Sequence, residues 1–227
     1  MPMSWKDWVR TVEVEPSLYA ADFSRLGEQI EVLARAGVRV FHFDVGDGHF
    51  VPPITIGPIV MQSISPIVHR LGAVLDCHLM VENPEQHFEA VAEAGGDSVT
   101  VHFEACDDLS RVYRRARELE LGVGLAFNPD TSPADAARGA DGFDLVLCMS
   151  INPGYSGQQF MPEAIGRVAE LRQLLGDGLQ IQVDGGIGPD NIRDVRDAGA
   201  DLFVAGTSIF GPDDIADSYH ELVQGLQ

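Results

Sequence analysis

The sequence predicts a single-domain α/β protein, specifically a TIM (β/α)8 barrel. Strand-like and helical segments alternate strictly, each kind occurs eight times, and the length of 227 residues is close to the roughly 250 typical of that fold. The rival arrangement is an open doubly wound sheet, but no GxGxxG opens a helix after the first strand. No linker, low-complexity stretch or shift of composition divides the chain. Residues 12–227 are therefore assigned to the barrel and residues 1–11, with Trp5 and Trp8, to an N-terminal extension.

The strand-like runs are rich in β-branched and aromatic residues and fall at 14–19, 40–46, 74–80, 98–103, 122–127, 145–150, 179–184 and 202–207. Between the first two, Leu26, Ile30, Leu33 and Ala34 recur at helical spacing, Asp22 is placed to cap, and Gly37 follows the end. Helical patterns over 85–94, 107–121 and 189–198 each run into glycine, and 162–175 and 213–226 are amphipathic. Segments 58–70 and 133–139 complete the set, each opening on proline.

With 45% hydrophobic and 22% charged residues, the chain has the composition of a soluble domain with one sizeable core. No apolar run reaches membrane-spanning length, and the N-terminus lacks the apolar stretch of a signal peptide. A cytoplasmic protein is expected. Cys77, Cys106 and Cys148 are odd in number and lack CxxC spacing, which points to free thiols. The net charge is −20 and Lys6 is the single lysine, a balance that argues against nucleic-acid partners. An anionic substrate would then need local attraction from backbone N–H groups or a metal. The acidic surface also suggests adaptation to high salt.

Strand ends carry the chemistry in such barrels, because the active site lies on the loops that follow them. His42 and Asp44 share one strand face, and Asp76, His78 and Met80 share another. Either pair alone reads equally well as a hydrogen-bonded turn or a satisfied core histidine. With Asp184 at the end of the seventh strand, however, two imidazoles and two carboxylates converge on one mouth. That donor set suits zinc, iron(II), manganese or cobalt better than calcium or magnesium. Gly-rich loops follow three consecutive strands, at Gly154-Tyr155-Ser156-Gly157, Gly185-Gly186 and Gly206-Thr207. Loops at these strand ends commonly hold phosphate through backbone donors. Met80 and Met149 would form an apolar wall over the site.

From Pro16 to Phe210 the chain resembles the ribulose-phosphate 3-epimerase family. The resemblance is carried by Pro16-Ser17, Ala21-Asp22-Phe23, the stretch His42-x-Asp44-x-x-Asp47-Gly48-x-Phe50-Val51-Pro52 and Ile54-Thr55-Ile56-Gly57. It continues through His78-Leu79-Met80-Val81-Glu82-Asn83-Pro84, Met149-Ser150-x-Asn152-Pro153-Gly154, Val183-Asp184-Gly185-Gly186 and Ala205-Gly206-Thr207. It implies one divalent metal ion held by His42, Asp44, His78 and Asp184, with Asp44 and Asp184 as the two acid/base groups. It further implies that Ser17, His78 and the three Gly-rich loops bind a phosphorylated ketose. The expected reaction interconverts D-ribulose 5-phosphate and D-xylulose 5-phosphate; allulose 6-phosphate is the alternative substrate, and a homo-oligomer is expected.

Two other classes are less compatible with the residues. A decarboxylase of the orotidine-phosphate type needs an Asp-x-Lys-x-x-Asp motif, whereas the third strand reads Asp76-Cys77-His78 with no lysine nearby. A non-catalytic sugar-phosphate binder would have no use for all four donors. The chain departs from the family pattern at Gly46 (usually methionine), Pro53 (usually asparagine), Tyr155-Ser156 and Tyr19-Ala20. Gly46 is expected to open one side of the apolar wall and so to loosen the choice of sugar.

Overall fold

The strands in the computed structural model, which describes residues 12–227, are β1 (Glu13–Pro16), β2 (Val40–Gly46), β3 (Val74–Met80) and β4 (Ser98–His102), followed by β5 (Gly122–Phe127), β6 (Leu145–Met149), β7 (Gln180–Asp184) and β8 (Leu202–Ala205). The proposed extension over residues 1–11 lies outside the described residues. All neighbouring strands pair in parallel, in the order β1-β8-β7-β6-β5-β4-β3-β2. Among the described residues, a single parallel bridge between Ser17 and His42 joins the two ends of this sheet into a barrel.

β2 and β3 are buried along their whole length, as expected of strands covered on both faces. Two apolar layers result. Val40, Val74, Leu145, Leu147, Leu202 and Met149 pack together in one cluster. A larger cluster includes Phe41, Phe43, Leu75, Leu79 and Val101, with helix residues such as Ile30, Leu33 and Met61. A polar layer crosses the barrel as well, with Glu15, His42, Asp76, Thr100 and Gln182 each fully buried.

Helices at Leu26–Ala36, Pro58–Arg70, Phe88–Glu93, Leu109–Glu118, Pro133–Gly139, Glu163–Leu175, Ile192–Asp197 and Ile215–Gly225 alternate with the strands. Gly37 ends the first of them in the left-handed region at φ 112°, its N–H donating to the Ala34 carbonyl, a geometry that favours glycine.

Most element ends shift by one to a few residues from expectation, and three shifts have a clear local cause. β1 stops at Pro16, and Leu18–Ala20 forms a 3-10 turn instead of more strand. The helix expected from 107 begins at Leu109, because Asp108 supplies the cap by accepting from the Arg111 N–H. Thr207, expected to end a strand, instead opens a ninth short helix, Thr207–Phe210. Cys77, Cys106 and Cys148 are free thiols, and among the described residues no helix is long and apolar enough to cross a membrane.

Candidate active site

Strand register assembles the centre. His42 lies opposite Asp76 and Asp44 opposite His78 in the β2–β3 ladder, while Asp184 pairs with Met149 at the tip of β7. Four donor atoms thereby converge: His42 Nε2, His78 Nδ1, Asp44 Oδ1 and Asp184 Oδ2. His42 Nε2 is 3.3 Å from both His78 Nδ1 and Asp44 Oδ1. His78 Nδ1 is 3.2 Å from Asp44 Oδ1 and 3.6 Å from Asp184 Oδ2. The longest of these separations, from His42 Nε2 to Asp184 Oδ2, is 4.0 Å. Ligands placed about 2.1 Å from one ion at tetrahedral angles lie roughly 3.4 Å apart, so the spacing fits a single cation.

The surrounding hydrogen bonds explain why lone pairs face the centre. His42 Nδ1 is 3.1 Å from Asp76 Oδ2, and Asp76 also accepts from Ser98 Oγ at 2.9 Å, Thr100 Oγ1 at 3.3 Å and Gln182 Nε2 at 3.1 Å. His78 Nε2 is 2.9 Å from His102 Nε2. With the outer nitrogens of His42 and His78 engaged in this way, the inner ones have only lone pairs to present to two carboxylates. Such a cluster needs a cation or a proton between its members.

The ionisation pattern of the metal-free protein reflects that need. Burial works against a charged His42, but the Asp44 and Asp76 carboxylates raise it well above its ordinary range. Burial would raise Asp44 too; the His42 and His78 rings overcome this and hold it far below the carboxylate range. Asp184 moves the other way. Burial, reinforced by the charge of Asp44, pushes it up to about 7. Burial and neighbouring charges thus drive the two carboxylates in opposite directions. Ser17 Oγ donates to Asp44 Oδ2 at 2.6 Å and fixes that carboxylate's second oxygen.

One open pocket lies over this centre and brings the remaining expected residues together. Ser17, Asp44 and Asp184 form its polar floor, and Met80 and Met149 form an apolar side. Gly154, Tyr155, Ser156, Gly157, Gly185, Gly186, Gly206 and Thr207 line it as well. Glycine is required at several of these points. Gly185 has φ 123°, and a Cβ there would collide with Ile151; Gly186 has φ 65° and lies against the Phe160 backbone.

The expectation for Gly46 is overturned. A Cβ at that position would sit 2.9 Å from both the Pro53 carbonyl oxygen and Val51 Cγ2. The loop after β2 folds back into the space, stapled by the Gly46 N–H to Thr55 Oγ1 at 2.6 Å and by Thr55 Oγ1 to the Asp44 carbonyl at 2.8 Å. Pro53 in turn packs on Gly154, where a Cβ would be 3.2 Å from its ring. The wall is therefore filled by the Pro53 main chain and the Val51 and Thr55 side chains, and not opened.

Several polar residues around the centre had no assigned role in the sequence reading. Asp76 shared a recognised strand face with His78. Glu15, His102, Glu104 and Gln182 carried no motif. Gln182 Nε2 donates to Glu15 as well as to Asp76, and Glu15 is raised well above its usual range, chiefly by burial and then by the charge of Asp76. Burial opposes ionisation of Glu104, but His102, Thr131 and the Asn128 N–H lower it to about 2.

Comparison with known proteins places the chain in a family. The model of the ribulose-phosphate 3 epimerase family matches residues 13–210. The chain is 41% identical over 223 residues to the ribulose-phosphate 3-epimerase of Synechocystis sp., covering 96% of this chain and 94% of that protein. It is 38% identical over 207 residues to the Bacillus subtilis enzyme of the same name, covering 89% and 94%. In fold it resembles 3-hexulose-6-phosphate synthase from Salmonella typhimurium, with a TM-score of 0.71 at 17% identity, covering 94% of this chain and 98% of that one. Orotidine 5'-phosphate decarboxylase from Pyrococcus horikoshii gives a TM-score of 0.67 at 15% identity, covering 94% and 98%. Those two likenesses concern the barrel alone. The family match and the full-length identity carry the conclusion: this chain belongs to the ribulose-phosphate 3-epimerase family and is an isomerase of the epimerase type.

Proposed function

We propose that this epimerase interconverts D-ribulose 5-phosphate and D-xylulose 5-phosphate with the help of one divalent metal ion, either zinc, iron(II), manganese or cobalt. His42 Nε2, His78 Nδ1, Asp44 Oδ1 and Asp184 Oδ2 would hold it. The observation that carries this reading is the convergence of those four atoms within 4.8 Å of one another, with every imidazole–carboxylate distance between 3.2 and 4.0 Å. When bound, the ion supplies Lewis acidity toward the oxygens of the sugar's reacting carbons.

The protein's own residues handle the protons. Inverting the carbon beside a ketone requires one proton removed from one face and another delivered to the opposite face. Asp44, anchored by Ser17 Oγ, and Asp184, across the pocket on β7, are the groups assigned to those two faces. The ionised carboxylate takes the proton at carbon 3, an ene-diolate forms, and the protonated one returns a proton from the other side. Met80 and Met149 shield the intermediate from water. Ser17 and the loops at Gly154–Gly157, Gly185-Gly186 and Gly206-Thr207 bind and orient the phosphorylated sugar.

Chelator-stripped protein should be inactive and regain activity on adding one of the four metals, with kcat/KM higher for D-ribulose 5-phosphate than for allulose 6-phosphate. Preference for the six-carbon sugar would transfer the same chemistry to that substrate. Full activity without metal would refute the proposed centre.

A further inference from the structure

We infer that His102 and Glu104 are positioning residues which, through one hydrogen bond and a carboxylate contact behind it, hold His78 in the tautomer that presents Nδ1 to the metal. This rests on the metal centre proposed above. If His78 binds through Nδ1, its Nε2 carries the proton and donates to His102 Nε2, 2.9 Å away. His102 Nε2 is then an acceptor, so the proton of His102 sits on Nδ1. That atom lies 3.4 Å from Glu104 Oε2, an electrostatic contact without hydrogen-bond geometry. Glu104 Oε1 accepts from the Asn128 N–H at 2.8 Å and from the Thr131 hydroxyl, which orients the carboxylate and leaves Oε2 for His102.

The imidazole pair of the relay is sealed. His102 is fully buried, stacked on His78 with ring centroids 5.0 Å apart and 19° between planes, and covered by Phe50 at 4.8 Å. Phe50 belongs to the same loop that fills the space beside Gly46, so the lid over the relay and the wall of the pocket are one segment. A carboxylate at the far end of an imidazole chain strengthens the metal-bound nitrogen as a donor, and loss of such partners typically lowers metal affinity by about 10–100-fold.

The isosteric change Glu104→Gln tests this. Its oxygen is expected to stay with the Asn128 and Thr131 donors, turning the NH2 toward His102 Nδ1. An NH2 there opposes a proton on His102 Nδ1 and favours one on Nε2, against the N–H of His78. Cobalt(II) affinity, measured by chelator competition on metal-free protein, should fall at least tenfold, and the visible absorption of bound cobalt should shift. Thr131→Val removes one anchor of Glu104 without reversing the relay and should leave affinity within about threefold. His102→Gln keeps an acceptor for His78 but cuts the link, so adding Glu104→Gln to it should produce no further loss. Tight, spectrally unchanged cobalt binding by Glu104→Gln would overturn the relay alone, as would an equal loss in Thr131→Val. A parent protein without cobalt affinity would remove the metal centre and the relay together.

Discussion

Asp44 and His78 lie directly opposite each other in the β2–β3 ladder, with Asp44 Oδ1 3.2 Å from His78 Nδ1. Parallel pairing thus brings a carboxylate and an imidazole from distant parts of the chain to one point. A one-residue slip in that ladder would turn either side chain to the other face.

The two carboxylates should fail separately. Asp44→Asn and Asp184→Asn are each expected to lower kcat by about 10²–10⁴. One of them should still exchange the carbon-3 hydrogen with solvent deuterium, because removal of the proton on one face survives. Mass-spectrometric detection of exchange, alongside the epimerisation assay, distinguishes the two half-reactions. Near-normal epimerisation in either variant would contradict the assignment.

In metal-free protein, Asp184 keeps its proton until about pH 7, whereas an unfolded aspartate loses it near pH 3.9. Between those values the folded chain binds more protons than the unfolded one. The stability due to this group is full at acid pH and lost as pH rises through about 7. Urea unfolding from pH 5 to pH 8 should show the parent declining more steeply than Asp184→Asn. Parallel curves would remove the raised carboxyl from the account.

Gly46→Ala should disturb the loop after β2, because its Cβ would meet the Pro53 carbonyl oxygen and Val51 Cγ2, both at 2.9 Å. Overpacking of this kind typically costs about 1–3 kcal/mol. As Pro53 rests on Gly154, the effect should reach substrate binding and raise KM more than it lowers kcat. Unfolding curves and steady-state kinetics check both; wild-type values would mean that the loop yields freely.

The charge of −20 should make stability depend on ionic strength. Raising KCl from 0.1 M to 1 M shortens the screening length from about 10 Å to about 3 Å. The melting temperature should rise as repulsion among the acidic side chains is damped. A flat response would show that local ion pairs already balance the surface.

Legibility in the sequence followed the range of the interactions. β2, β3 and β5 were found at their true limits because continuous burial writes itself into runs of Val, Leu and Phe. The four proposed metal donors were legible because strand alternation in β2 and β3 fixes the faces of His42, Asp44 and His78, and Asp184 ends β7. His102 and Glu104 were not, since their importance depends on how β4 registers against β3 and on Thr131 from a later loop. Gly46 was misread because a missing side chain suggests a gap, and the residues that fill it are supplied by a backward fold of the following loop. Thr207 continued an apolar strand pattern, yet the chain turned helical as soon as Gly206 allowed it.

The lone bridge between Ser17 and His42 gives the barrel a seam far more sparsely laced than its other joints. Both residues of that bridge belong to the pocket floor or to the donor cluster beneath it. Loading the site would therefore act as a rivet across the cylinder's weakest edge, tying its circumference to the catalytic cycle. An empty enzyme should breathe along this line, and amide exchange on either side of it should slow when the centre is filled.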